Sequence, residues 1–89
     1  MPSEEEILAR FVVDGRLKTV PAAEKKRLIV LKWLATLFEP AQTYSEKEVS
    51  ETLRAVHEDF ASLRRYLVDY GLMVRANGIY RLVDRKEDS

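Results

Sequence analysis

The chain has 89 residues, 46% apolar and 34% charged, which suits one folded domain with a small core and excludes a disordered chain. It has no cysteine, excluding disulfides and thiolate zinc sites, and no apolar run near the roughly 20 residues that cross a bilayer. Fifteen basic and fifteen acidic side chains balance to a net charge of zero, without the basic excess of a dedicated nucleic-acid binder.

The opening stretch, MPSEEEILAR, is acidic where a signal peptide would be basic, so a cytoplasmic protein is expected. Ser3 with Glu6 three residues later forms a capping-box pattern, and Ile7, Leu8, Phe11 and Val12 follow as one apolar stripe. Asp14-Gly15 is expected to end this helix, since glycine accepts positive φ without a Cβ clash. Residues 16–20 are expected to be extended or irregular, so that 1–20 form an N-terminal helix and arm. Pro21 suits the first turn of a second, long helix, which stops before Glu39-Pro40 because the residue preceding proline avoids the α region. Leu28, Leu31, Leu34, Ala35 and Phe38 make one face of it. Ile29, Trp33 and Leu37 make a second, to be covered either by the N-terminal helix or by another subunit.

Ser45 and Glu48 form a second capping box, with Tyr44 and Val49 at hydrophobic-staple positions. Val49, Leu53 and Val56 point inward from the helix that follows, and residues 57–59 make a tight connection. Phe60, Leu63, Leu67 and Tyr70 line one side of a further helix, from about Asp59 to Tyr70. Gly71 ends it, with Leu72 placed to meet Leu67 as in a Schellman motif. Asn77-Gly78 predicts a type I′ hairpin that sets Ala76 opposite Ile79, Arg75 opposite Tyr80 and Val74 opposite Arg81. Residues 84–89 read as a polar, frayed tail.

This order predicts an α+β, mainly α fold: a winged helix-turn-helix core over 21–83 with an added N-terminal helix and a C-terminal two-stranded β-hairpin wing. The helix before the hairpin would be the recognition helix.

Three stretches, DGRLKTVP (14–21), LKWLATLFEPAQTYSEKEVSETL (31–53) and DFASLRRYLVDYGLMVR (59–75), resemble a bacterial family catalogued as domain of unknown function 2087. Together they cover most of residues 11–83. Ser50 stands where that family's pattern carries asparagine. The resemblance implies a winged-helix-like domain of bacterial cytosolic proteins, alone or attached to transcription-regulator modules, and it implies no established activity.

The outer side of the 59–70 helix presents Ala61, Ser62, Arg65, Val68 and Asp69. Ser62 and Arg65 are candidate DNA contacts, Arg65 having the geometry to reach guanine O6 and N7. The competing reading of Arg65 is a surface ion pair with Asp69, four residues on. Arg64 is expected to be structural, its guanidinium tied to a carboxylate such as Asp59. Arg75 and Arg81 on the wing, with Lys86 beyond, are candidate phosphate contacts; the competing reading stacks Arg75 on Tyr80. Lys25-Lys26-Arg27 read as a solvated helix start, and Ile29, Trp33 and Leu37 as a candidate interface.

His57 is the only histidine, and a turn role suits it better than metal binding. No glycine-rich phosphate loop or nucleophile–base pair is present, and Glu58 and Asp59 are adjacent and diverge, so no catalysis, cofactor or metal is expected. The expected function is a transcription-regulator-type module that binds duplex DNA, alone or as a homodimer. The alternative is a protein-interaction or sensing domain on the same scaffold, favoured by the neutral charge and by a 57–69 window holding two arginines against three acids.

Overall fold

Both predicted capping boxes form. Ser3 Oγ accepts the Glu6 N–H at 3.1 Å, and the Glu6 carboxylate accepts the Ser3 N–H at 3.0 Å, opening helix α1 (Glu4–Phe11). The bond from the Ser3 backbone, then that from its hydroxyl, holds the Glu6 carboxyl below its ordinary range. Its stabilising contribution is therefore present above the ordinary carboxylate range and lost as pH falls through the lowered value. The structure, a computed structural model, describes residues 3–83. The expected tail at 84–89, Lys86 included, lies outside the described residues.

Asp14-Gly15 does not cap α1. The helix runs directly into strand β1 (Val12–Val13), which turns through Asp14 (φ 54°) and Gly15 (φ 77°) and returns as β2 (Arg16–Leu17). Two successive positive φ values make a type I′ turn, so the Asp-Gly pair folds a hairpin where a helix stop was expected. The arm is anchored as well as paired. Leu17 is only 3% exposed, its N–H donates to Val56 O at 3.0 Å, and the Arg16 guanidinium donates to Ala55 O at 3.2 Å.

Helix α2 (Glu24–Ala35) begins later than Pro21 predicts, and its N-cap, Ala23, has no side chain to bond the free N–H groups. Arg27 organises this entry instead. It donates to Pro21 O at 3.1 Å, Ala22 O at 2.9 Å and the Tyr70 hydroxyl at 3.0 Å, and its guanidinium lies 4.8 Å over the Tyr66 ring. The Tyr70 bond is also the main reason its pKa is raised. Arg27, expected in a solvated run, is thus a tie between α2 and the fourth helix. Arg27→Met is expected to lower the melting temperature by about 4–8 °C, while Lys25→Met leaves it unchanged. Thermal melts showing equal effects for the two would remove this role.

Beyond Ala35 the N–H groups of Thr36, Leu37 and Phe38 bond to carbonyls three residues back, tightening the final turn. Leu37 stands exposed, while Phe38 is buried in the core. Val30, outside the predicted stripe, is fully buried beside Leu31 and Leu34.

Next come β3 (Tyr44–Ser45), α3 (Glu46–Arg54), α4 (Phe60–Asp69), β4 (Met73–Ala76) and β5 (Ile79–Leu82). Ser45 Oγ accepts the Glu48 N–H at 3.1 Å, and Glu48 accepts the Ser45 N–H at 2.8 Å. Ser45→Ala is expected to cost about 1 kcal/mol, checked by urea denaturation. The backbone of this N-cap (φ −74°, ψ 163°) is already extended, so Tyr44 and Ser45 add to β5 opposite Tyr80 and Ile79. The hairpin is therefore part of a three-stranded antiparallel sheet, order β3-β5-β4, and the expected two-stranded wing is corrected. Tyr44 also stands edge-on to Phe38, ring centroids 5.1 Å apart.

Gly71 closes α4 at φ 75°. Its N–H bonds Val68 O at 3.0 Å and the Leu72 N–H bonds Leu67 O at 2.9 Å, the two bonds of a Schellman motif. The β4–β5 register is the predicted one at all three pairs. Leu31, Leu34, Leu53, Leu63, Leu67 and Met73 are fully buried where α2, α3, α4 and the sheet meet. The described chain is thus a small α+β fold of four helices and two small antiparallel sheets, about half helical.

Candidate nucleic-acid interface

Burying Leu63 and Leu67 fixes the rotation of α4 about its axis. Phe60 and Tyr70 follow them inward to half-burial, Ala61, Arg65 and Asp69 remain exposed, and Ser62 and Val68 are half-buried beside them. Helical spacing thus puts Ser62 and Arg65 on the outer side, as predicted.

Strand geometry separates the two hairpin arginines. Directly opposed residues of an antiparallel pair share a face, and alternate residues switch faces. Arg75 opposes the buried Tyr80 and so shares the inner face with Met73 and Leu82, whereas Arg81 opposes Val74 on the outer face with Ile79. Only Arg75 is brought to α4. Together they bound a recess of about 290 Å³ lined by Arg64, Arg65, Val68 and Asp69 of α4, Glu46 of α3, and Arg75 and Tyr80. On the other flank of α4 a second recess, about 540 Å³, is lined by Ala61, Ser62, Arg64, Arg65 and Tyr66. Arg64 and Arg65 form the ridge between the two.

Arg64 is tied across helices, not within its own. It donates to Ser50 Oγ at 2.6 Å and stands 4.0 Å from Glu46 Oε2, so the expected partner Asp59 is replaced by the first turns of α3. The flank of α4 that carries Arg64 faces α3, which is why its guanidinium meets that helix. Arg75 reaches the other oxygen of the same carboxylate, 3.9 Å from Glu46 Oε1. Glu46 is half-exposed, and ion pairs of this kind contribute about 0–1 kcal/mol each. Among the described residues no ion pair joins Arg65 to Asp69.

Ile29, Trp33 and Leu37 differ in burial. Ile29 is half-buried, Trp33 is half-buried and packed on the core, and α1 packs on α2, while Leu37 points to solvent. His57 Nδ1 accepts the Asp59 N–H at 2.9 Å in the α3–α4 connection. Among the described residues no group of three or more metal-ligating side chains converges, and no helix is long and apolar enough to cross a membrane.

Glu46 is the site residue that sequence reasoning missed, and Tyr80 entered it only as a stacking partner for Arg75. Glu46 follows the Ser45 cap and reads as a helix-start acid suited to the dipole. Its position between two arginines depends on how α3, α4 and the sheet pack. Tyr80 carried a usable signal, since its register with Arg75 places both on one face.

A family model described as an uncharacterised protein conserved in bacteria (DUF2087) matches residues 16–82. No curated protein and no solved structure matches the chain.

Proposed function

The chain belongs to the DUF2087 family, and from that premise we propose that it is a non-catalytic, winged helix-turn-helix module that binds duplex DNA in the bacterial cytosol. The observation that carries this reading is the outer side of α4. It offers small side chains around one exposed arginine, Arg65, with no ion-pair partner among the described residues and with Arg75 of the wing beside it. The order helix, strand, helix, helix, hairpin over α2 to β5 supports the winged-helix scaffold. With side chains a helix is about 10–12 Å across, which suits a major groove about 12 Å wide, and the 10 residues of α4 run about 15 Å along it. Arg65 and Ser62 would face base edges. Arg75 would meet the phosphate backbone, and Arg81, on the opposite face, would contribute little.

With Arg75 on a phosphate and Arg81 contributing little, one or two neutralised phosphates per monomer give a slope of log affinity against log salt of roughly −1 to −2, at about −0.9 per phosphate. Arg65→Ala is expected to relax sequence preference by about 1–3 kcal/mol. Arg75→Ala should weaken all sequences alike and make the slope shallower, with Arg81→Ala the smaller effect. Titration of the wild type and the three variants with duplex DNA at two salt concentrations tests this. Absence of binding near physiological salt would overturn it.

The second reading, a protein-interaction domain or homodimer, is favoured by one observation. Val74 and Ile79 are exposed together on the outer face of the hairpin, with exposures of 37% and 44%.

A further inference from the structure

The recess between α3, α4 and the wing is built around an anion. Three guanidiniums, from Arg64, Arg65 and Arg75, line it, and the carboxylate of Glu46 reaches between two of them. The fit is loose. At 4.0 and 3.9 Å the Glu46 oxygens stand well outside the roughly 2.7–2.9 Å of a charge-assisted hydrogen bond. Glu46 therefore balances charge at Arg64 and Arg75 without a hydrogen bond to either, while one Arg64 donor is taken by Ser50 Oγ at 2.6 Å.

Tyr80 adds an independent observation. The residue is only 3% exposed, it lines the recess, and its hydroxyl makes no hydrogen bond among the described residues. A buried tyrosine normally finds a partner for its O–H. Here Tyr80 lines the same recess as the three arginines.

We propose that this recess is a binding site for a single phosphate group, held by Arg64, Arg75 and the Tyr80 hydroxyl, and that Glu46 is the internal anion which the phosphate displaces. A tetrahedral phosphate offers oxygens in several directions and accepts from two guanidiniums and a hydroxyl together, whereas the carboxylate spans only the two arginines. Arg65, on the rim, remains free to reach outward. Asp69 also lines the recess. Its charge opposes a second anion, which limits the site to one phosphate and makes binding of free phosphate weak. The phosphate comes either from a duplex backbone, in which case the inference rests on the DNA reading, or from a small phosphorylated ligand, in which case it does not.

Glu46→Gln removes the competing charge and keeps the shape, and Glu46 takes no part in the Ser45–Glu48 capping box. Glu51→Gln on the same helix removes an exposed acid that does not line this recess and serves as the control. Two titrations follow, one with duplex DNA and one with inorganic phosphate, the latter read from the arginine Nε–H resonances. Glu46→Gln is expected to bind duplex about 3–10-fold more tightly, because the same phosphate no longer competes with a carboxylate. Inorganic phosphate is expected to move Arg64 and Arg75, more in Glu46→Gln than in wild type. Phosphate shifts without duplex binding would sustain the site for a small phosphorylated ligand and overturn the DNA reading. Duplex binding that is the same in wild type, Glu46→Gln and Glu51→Gln, with no arginine shifts in phosphate, would overturn the phosphate site and leave the DNA reading standing. No response in either titration would overturn both.

Discussion

Leu17→Ala is expected to lower the unfolding free energy by about 2–5 kcal/mol, as much as truncating a leucine of the central helices. Leu17 sits on a two-residue strand in a segment that looks like a polar arm, yet it is 3% exposed and belongs to the same core cluster as Leu31, Leu53 and Leu63. Its backbone is fixed from both sides, by β1 through strand pairing and by the Leu17 N–H to Val56 O bond at the end of α3. The surroundings have little freedom to collapse into the space a truncated side chain would leave. Small domains have only about 5–15 kcal/mol of stability in total, so the loss is a large share of it. Val13→Ala, on the exposed side of the same hairpin, is the matched control. Urea denaturation of both variants measures the difference. A Leu17→Ala midpoint equal to wild type would mean that the arm is not part of the folded core.

Gly71→Val and Gly78→Val are each expected to cost about 1–3 kcal/mol, for a reason that involves no contact. Both glycines hold positive φ, 75° and 77°, and a Cβ built on either would meet nothing within 4 Å. The cost is therefore purely that of forcing a β-branched residue into the left-handed region. Asparagine tolerates that region better, so Gly71→Asn and Gly78→Asn should lose distinctly less than the valine variants. Equal losses for asparagine and valine would point to crowding, which the open space around both positions argues against. Gly71 also sets where α4 stops and how β4 leaves it.

The features legible in the sequence are those decided within a few residues. Two capping boxes, the Schellman end of α4 and the type I′ register at Asn77-Gly78 each depend on local backbone chemistry, and each forms as predicted. Asp14-Gly15 shows the limit of the same reasoning. Positive φ is read correctly, but a helix stop and a hairpin turn both use it, and only the pairing of Val12 with Leu17 chooses between them. Features set by packing were not legible. The strand character of Tyr44 and Ser45 depends on β5 arriving beside them, and Arg27 looks like any helix-start cation until Tyr66 and Tyr70 are placed against it. The candidate site divides in the same way. Helix periodicity was enough to put Ser62 and Arg65 outward on α4. The predicted register already put Arg75 and Arg81 on opposite faces of the hairpin, and the burial of Tyr80 shows that the Arg75 face is the inner one. The pairing of Arg64 with Ser50 and Glu46 joins residues 14 and 18 positions apart, a distance no local pattern reports.

The central claim is that the outer side of α4 and the inner face of the wing meet duplex DNA. The most direct test is to follow backbone and arginine side-chain NMR resonances of the intact chain while random-sequence duplex is added at low salt. The account predicts that shifts concentrate at Ala61, Ser62, Arg65, Asp69 and Arg75, and that they fade as salt is raised. Shifts confined to Leu37 and the Val74–Ile79 face, or none at saturating duplex, would contradict it.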